Sequence, residues 1–352
     1  MKKPIIIITG PTAVGKTSLS IGLAKRIGGE IISADSMQVY RHMDIGSAKA
    51  TKEEMDGIPH HLIDILEPSC DFNVVMFQKK AREALEDIYS RGSLPIIAGG
   101  TGFYIQALLY DIDFTETEED NAFRCGMERL AREKGPGFLH AMLKQADPES
   151  AAAIHPNNIK RVIRALEYHH QTGEKISDHN EAERQKESPY QFFYYVVNTD
   201  RAILYERIDR RVDQMIRDGL IEEVKSLRAM GCTRQMVSMQ GLGYKEIMDY
   251  LDGLYSLEEA IHILKRDTRH FAKRQLTWFK RERCVRWLNL PDFDNDREKV
   301  LEYIIAEFRQ ETDASLNFTV MKGNEKWNWK RYTKTLESAG KYLNSAAGPR
   351  LC

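Results

Sequence analysis

No two cysteines in this 352-residue chain stand at metal-ligand spacing. The five present, Cys70, Cys125, Cys232, Cys284 and Cys352, are scattered and odd in number. With no CxxC or CxxH pair among them, neither a zinc site nor a disulfide framework is expected. Long hydrophobic runs are missing too. Pro4-Ile5-Ile6-Ile7-Ile8 falls far short of the about 20 apolar residues that span a bilayer. Met1-Lys2-Lys3 leads straight into that run with no small-residue cleavage site, so no secretory leader is expected, no membrane partner, and a cytoplasmic location. Nor is there an excess of one charge. The 51 Lys and Arg face 52 Asp and Glu, a formal charge of −1, which excludes a uniformly basic coat but leaves room for a local patch. With 42% hydrophobic and 29% charged residues, the chain reads as an ordinary globular protein of about two domains. No repeat or low-complexity tract stands out.

What is present first is a series of strands. Ile5 to Thr9 is an unbroken β-branched run, the pattern of a strand buried on both faces. Thr17 to Arg26 follows with Leu19, Leu23 and Ile27 four apart, a helix that Gly28-Gly29 stops. Glu30 to Ala34 reads as a second buried strand ending in Asp35-Ser36. A helix over about 74–91 and a third apolar strand at Pro95–Ala98 come next, the latter running into Gly99-Gly100-Thr101-Gly102. Strand and helix alternating at this spacing predict an α/β fold with a doubly wound parallel sheet. The pattern changes at Thr115–Asp120, an acidic linker. Residues 115–189 carry only helical periodicities and are read as an all-helical insertion domain. Strand character returns at Tyr190–Val197, and from Arg201 to about Gln310 the pattern is mostly helical. The expected organisation is therefore 1–114 plus 190–310 as the core with a helical C-terminal part, 115–189 as the insertion, and 311–352 as a tail whose structure is left open, including Trp327–Tyr332.

Between the first strand and the first helix lies Gly10-Pro11-Thr12-Ala13-Val14-Gly15-Lys16-Thr17, which matches G-x-x-x-x-G-K-[ST] in the context that motif requires. Glycines let backbone N–H groups converge on phosphate oxygens, and the helix N-terminus adds a favourable dipole. Lys16 supplies a point charge, and the Thr17 hydroxyl can ligate a magnesium ion that bridges phosphates. The core is thus P-loop NTPase-like, and the ligand is a di- or triphosphate. The motif is a nucleotide-binding signature but does not require ATP. The third strand ends without the acid that often holds magnesium in such enzymes; the nearby acid is Asp35, after the second strand. Carboxyl ends of parallel strands form the ligand crevice, so Asp35 belongs beside the loop, although an Asp-Ser pair also serves as a helix or turn cap.

Three further groups carry charge. Arg207 and Arg211 are four apart on one helix face, either functional or paired to Glu206 and Asp209. Lys265 to Arg286 holds nine Lys or Arg against Asp267 and Glu282, a local excess of basic charge with little pairing available inside the segment, suited to an RNA surface. Trp278 and Phe279 lie within it, as base-stacking groups or as core residues of an amphipathic helix. Lys160, Arg161 and Arg164 form a second basic cluster on the insertion. His60-His61 and His169-His170 lack partners at metal spacing and read as structural.

Taken in order, residues 10–17, Ala34–Tyr40, Met43–Lys49, Pro59–Asp64, Gly99–Tyr104, His155-Pro156-Asn157, Arg161–Glu167, Gly243–Glu246 and Lys273–Phe279 resemble the tRNA dimethylallyltransferase (IPP transferase) family over about residues 4–290. The resemblance implies transfer of a dimethylallyl group from dimethylallyl diphosphate to N6 of the adenosine immediately 3′ of the anticodon, with a P-loop core and an insertion that closes over the tRNA anticodon stem-loop. It implies Asp35 as the carboxylate that takes the N6 proton, Ser36, Met37 and Gln38 flanking the adenine, and Thr101 on the target nucleotide. It gives Arg207 or Arg211 to the diphosphate and Arg124 to the tRNA. The remaining tRNA contacts it implies are Gln240, Gly243, Tyr244, Lys245, Lys273, Arg274, Gln275 and Trp278. Magnesium at Thr17 is the expected cofactor and a monomer the expected state. A kinase using ATP in the same loop and a nucleotide-gated RNA-binding protein without transfer chemistry are the other readings, and the identity of the phosphate product separates them.

Overall fold

The computed structural model describes residues 2–114 and 121–315. The acidic stretch Thr115–Asp120 and the tail containing Trp327–Tyr332 lie outside the described residues. The chain forms two compact units, one from residues up to Ile105 together with those from Tyr190 onward, the other Gln106–Pro189.

The first unit is built on a six-stranded sheet in the order β3-β2-β4-β1-β5-β6, with every pairing parallel. β1 (Lys3–Thr9) lies between β4 (Leu94–Gly99) and β5 (Tyr190–Asn198), and β2 (Gly29–Ala34) pairs with the other side of β4. β1 is fully buried over Ile5–Ile8, as an unbroken apolar run in a central parallel strand demands. Two strands stand at the edges. β3 (His60–His61) is a two-residue strand on β2, where His61 Nε2 bonds Glu30 at 2.8 Å and His60 Nδ1 bonds the Ile58 carbonyl at 2.8 Å. β6 (Val285–Asn289) pairs with β5 inside the stretch expected to be helical. Only its Leu288 is buried, and its Arg286 is tied to Glu311 at 2.8 Å, so this strand shows neither an apolar run nor a clean alternation.

Helices cover the sheet. α1 (Lys16–Ile27), α2 (Lys52–Met55), α3 (Val74–Ser90) and α4 (Gly102–Leu109) belong to the first half of the chain. α10 (Arg201–Arg217), α11 (Leu220–Ala229), α12 (Tyr244–Leu251), α13 (Leu257–Phe279) and α14 (Arg297–Ser315) belong to the second, after the five helices of the other unit. Ile6 and Ile8 of β1, Phe193 and Tyr195 of β5, Leu19 and Leu23 of α1, Leu204 and Ile208 of α10, Ala272 of α13 and Ile304 of α14 share one buried cluster. The chain runs from β1 outward to β2, returns to β4, then crosses to β5 on the opposite side. The winding direction therefore reverses at β1, and the crevice for a ligand lies at the carboxyl ends of β1 and β4.

The second unit holds α5 (Asn121–Lys134), α6 (Pro136–Ala146), α7 (Pro148–Ala153), α8 (Ile159–Thr172) and α9 (Ile176–Gln185), around a small core of Ala131, Leu139, Leu143, Val162, Ala165 and Leu166. Two buried carboxylates organise it. Asp147 caps α7 by accepting from Ser150 N–H at 3.0 Å and draws in α9 by accepting from the Ser177 N–H at 3.0 Å and its hydroxyl at 2.8 Å. Glu167 of α8 receives Arg124 of α5 at 2.7 and 3.1 Å and Arg164 at 3.1 Å.

Burial alone would raise the Asp147 carboxyl, but the donors of Ser150 and Ser177 outweigh it and hold the group below the ordinary aspartate range. A carboxylate depressed in the folded state contributes stability that is present above its unfolded value near 3.9 and is lost as pH falls through the folded one. Asp147→Ala strands the buried N–H of Ser150 at about 1–3 kcal/mol and the half-buried N–H of Ser177 at the low end of that range, about 1 kcal/mol, so a loss of about 2–4 kcal/mol is expected at neutral pH. Denaturant titration of wild type and variant should show the gap narrowing below pH 4, with faster amide exchange at Ser150 and Ser177. A constant gap down to pH 2 would contradict the assignment.

Candidate functional site

The loop joining β1 to α1 is held in place by steric necessity and by a long-range brace. Gly10 has φ +145, and a Cβ there would stand 2.3 Å from the Val197 carbonyl oxygen. Gly15, with φ +102, caps α1 without a side-chain bond, leaving the helix N-terminus open toward a ligand. The Thr12 N–H donates to Gln275 Oε1 at 2.9 Å, and Gln275 Nε2 donates to the Gly100 carbonyl at 3.0 Å. Thr9 Oγ1 donates to the Gly99 carbonyl at 2.7 Å. Gln275 is buried and both ends of its amide are committed, so it ties the P-loop to the end of β4. Sequence reasoning assigned it to tRNA and missed this brace.

Lys16 folds back so that Nζ donates to the Pro11 carbonyl at 2.8 Å. Its stem is half-buried, and its ammonium is poorly solvated beside Arg211. Burial, then Arg211, pull its pKa down to about 7, with Asp35 opposing. Arg207 and Arg211 of α10 line a pocket of about 270 Å³ together with Ala13, Gly15, Lys16 and Thr17. Neither arginine takes the pairing open to it in sequence: Glu206 pairs with Arg210 at 3.0 Å and Asp209 with Arg269. Burial holds Arg211 below the usual arginine range while Asp35 and Glu54 support its charge. The pocket is small against the roughly 300–1,000 Å³ of whole-ligand sites. It has the size and charge for a phosphate head group.

Asp35 follows β2 directly, where the Thr101 N–H donates to the Ala34 carbonyl at 3.2 Å and so brings the start of α4 alongside. Asp35 Oδ1 accepts from Met37 N–H at 2.8 Å and from Gln38 N–H at 3.4 Å. One carboxylate oxygen thus fixes the turn Ser36–Gln38, the capping role open to it in sequence, while its charge faces Lys16 and Arg211. β4 ends at Gly99 with no acid at its carboxyl end. Among the described residues no group of three or more His, Cys, Asp or Glu could hold a metal ion. An oxygen-poor site of this kind fits a magnesium ion carried chiefly by phosphate and water, with the Thr17 hydroxyl as the protein ligand.

The RNA-assigned residues fall in several places. Tyr244 is fully buried, Gly243 caps α12 with its N–H donating to Glu246 at 2.9 Å, Lys245 meets Glu246 at 3.2 Å, and Gln240 accepts from Arg234 at 3.1 Å. Trp278 packs on Gly102, where a Cβ would stand 2.2 Å from its ring, and meets Phe103 edge-on at 6.0 Å; Phe279 is core. In the insertion, Lys160 and Arg161 are exposed, whereas Arg124 and Arg164 hold Glu167. The segment 265–286 has little internal pairing, as expected, but part of its charge is met from elsewhere in the fold. Acids from outside the segment neutralise part of it: Lys265 pairs with Asp213, Arg269 with Asp209, and Arg286 with Glu307 and Glu311, while Arg266 pairs with Asp267 inside it. Lys273, Arg274, Lys280 and Arg281 are exposed and form no salt bridge among the described residues, while exposed Arg283 acts on the Glu282 carboxylate.

The chain is similar to known proteins over most of its length. The family description "IPP transferase" matches residues 38–282, and "isopentenyl transferase" matches residues 3–67. A tRNA dimethylallyltransferase from Lachnoclostridium phytofermentans is 62% identical over 302 residues, covering 86% of this chain and 96% of that protein. One from Alkaliphilus oremlandii is 53% identical over 309 residues, covering 88% and 98%. Among solved structures, the full-length tRNA isopentenylpyrophosphate transferase from Bacillus halodurans gives a TM-score of 0.67 at 46% identity, covering 89% and 99% of the two chains. A eukaryotic dimethylallyltransferase acting on tRNA gives 0.76 at 30% identity, covering 88% and 80%.

A lysine poised near 7 couples phosphate binding to protons. Inorganic diphosphate in the pocket should raise Lys16 back toward its ordinary value, so binding at pH 8 takes up nearly one proton more in wild type than in Lys16→Ala. Affinity should fall as pH rises above about 7. Calorimetry in buffers of different ionisation heat measures both. Equal proton uptake by the two proteins would place Lys16 off the ligand.

Proposed function

Because the chain belongs to the IPP transferase family, we propose that it transfers a dimethylallyl group from dimethylallyl diphosphate to N6 of adenosine 37 of tRNA. The observation that carries this reading is the meeting of Lys16, Arg207 and Arg211 in one small pocket at the carboxyl end of β1, with Asp35 charged against two of them.

The diphosphate of the donor occupies the pocket, with P-loop N–H groups, Lys16 and the arginines directed at its oxygens. N6 attacks the allylic carbon, the carbon–oxygen bond breaks, and its electron pair leaves with diphosphate. Donors already fixed where that charge develops lower the barrier without reorganising. The amine loses its proton to Asp35, at the oxygen not engaged in holding the Ser36–Gln38 turn. Ser36, Met37, Gln38 and Thr101 border the adenine. The Thr17 hydroxyl would hold a magnesium ion, which would supply charge neutralisation on the leaving group. Exposed Lys273 and Arg274, with Lys160 and Arg161 on the insertion, meet the backbone of the anticodon stem-loop; Arg124 and Arg164, which also hold Glu167, complete the basic group on the insertion. A base in that loop must be splayed out to reach the pocket. The proposed working state is a monomer, and no helix among the described residues is long and apolar enough to cross a membrane.

Incubation with tRNA, magnesium and labelled dimethylallyl diphosphate, followed by nucleoside analysis, should yield N6-isopentenyladenosine and one diphosphate per transfer. ATP in place of the allylic donor should give no ADP. Asp35→Asn should lower kcat by about 10²–10⁴-fold with tRNA affinity nearly unchanged. ADP formation would revive a kinase, and near-wild-type kcat in Asp35→Asn would remove Asp35 as the base.

A further inference from the structure

Residues 44–47 present four consecutive backbone N–H groups to one place. Those of Asp44 and Ile45 donate to Glu223 Oε2 at 2.8 and 2.7 Å, and that of Gly46 donates to Glu223 Oε1 at 3.0 Å. The fourth, of Ser47, donates to the Tyr244 hydroxyl at 3.1 Å, which itself donates to Glu223 Oε1 at 2.8 Å. Successive N–H groups in such a concavity bind anions. Here the anion is the protein's own, supplied from the first turn of α11, with the buried ring of Tyr244 at the start of α12 beneath it. Gly46 lies so close to that ring that a Cβ would stand 2.5 Å from Tyr244 Cζ. Bonds to a carboxylate acceptor are the stronger kind, and one carboxylate holding three amides directly and the fourth through Tyr244 leaves the loop one geometry.

The other side of the loop faces the site. The Ser47 and Ala48 carbonyls accept from Gln38 Nε2 at 3.4 and 3.5 Å. Gln38 Oε1 accepts from Ser33 Oγ at 2.9 Å, and the Gln38 and Met37 N–H groups both point at Asp35 Oδ1. Lys49 closes the loop, with Nζ reaching Asp44 and Asp64 at 2.6 Å each and the Tyr40 carbonyl at 2.9 Å. A continuous series of contacts therefore runs from α11 and α12 through the 44–48 loop and Gln38 to the turn that orients Asp35.

We infer that Glu223, with Tyr244, is a positioning residue for transfer: it sets the 44–48 loop and through Gln38 fixes the orientation of Asp35, without touching substrate. This rests on the reading of Asp35 as the base. A misplacement of about 1 Å in a reacting group costs on the order of 10²-fold in rate.

The test uses the full chain with tRNA and dimethylallyl diphosphate, single-turnover transfer at saturation, KM for the donor, and amide exchange at 44–47. Glu223→Ala should slow transfer by about 10–100-fold with KM for the donor within threefold of wild type, and should speed exchange at all four amides. Glu223→Gln, whose amide oxygen still accepts, should recover part of the rate. Tyr244→Phe should expose chiefly the Ser47 amide and slow transfer less. A folded Glu223→Ala protein with a single-turnover rate within twofold of wild type overturns the inference. Should that variant not fold, an unchanged rate in Tyr244→Phe overturns it instead. Asp35→Asn run in parallel separates the two failures. If it is inactive while Glu223→Ala is not, only the role of Glu223 falls; if it is fully active, the base assignment falls and Glu223 has no base to position.

Discussion

Cations crowded at the end of a buried strand need an anion, and the rest of the site is arranged around that need. Lys16, Arg207 and Arg211 are brought to one small pocket, where burial and mutual repulsion weaken the lysine's hold on its proton. A diphosphate leaving group relieves this repulsion and gains most from it as its charge grows during bond breaking. The sheet makes the arrangement possible. Reversal of winding at β1 opens the crevice, β5 seats Gly10 against Val197, and α10 comes off β5 to deliver both arginines.

Carboxylates do several jobs in this fold, and backbone N–H groups decide which. Asp147 is fully enclosed and spends both oxygens on Ser150 and Ser177; it is structural. Glu223 spends both of its own on a loop. Asp35 spends only Oδ1, on its own turn, and its charge is offset by Lys16 and Arg211. A carboxylate held by one oxygen and free at the other can accept a proton from a substrate in a defined direction. Glu167 illustrates a fourth use, orienting two arginines that share its charge.

The parts of this molecule that were legible in sequence are those whose determinants are local. The run Ile5–Ile8, the P-loop spacing and the helical stretch of the insertion each carry their pattern within about ten to twenty residues, and the four long strands follow from it. β6 was not legible because an edge strand with one buried side chain has no apolar run to reveal it. Gln275 was not legible as the P-loop brace because its partners lie 263 and 175 residues away. Glu223 sits in Ile221-Glu222-Glu223-Val224, which reads as an ordinary acidic first turn; nothing in that segment announces the amides of 44–46. The charge of 265–286 was legible, but its neutralisation by α10 and α14 depends on packing that sequence does not display.

On the proposed reading, leaving-group stabilisation in the pocket that Arg211 lines and proton removal by Asp35 are coupled, the two side chains acting on each other as well as on substrate. A double-mutant cycle tests this most directly: single-turnover transfer by wild type, Arg211→Ala, Asp35→Asn and the double variant at saturating tRNA and donor. Side chains that interact in one site are non-additive, by about 0.5–3 kcal/mol, so the double variant should retain about tenfold more activity than the product of the two single losses. Losses that multiply without remainder would contradict the account and place the two side chains in separate environments.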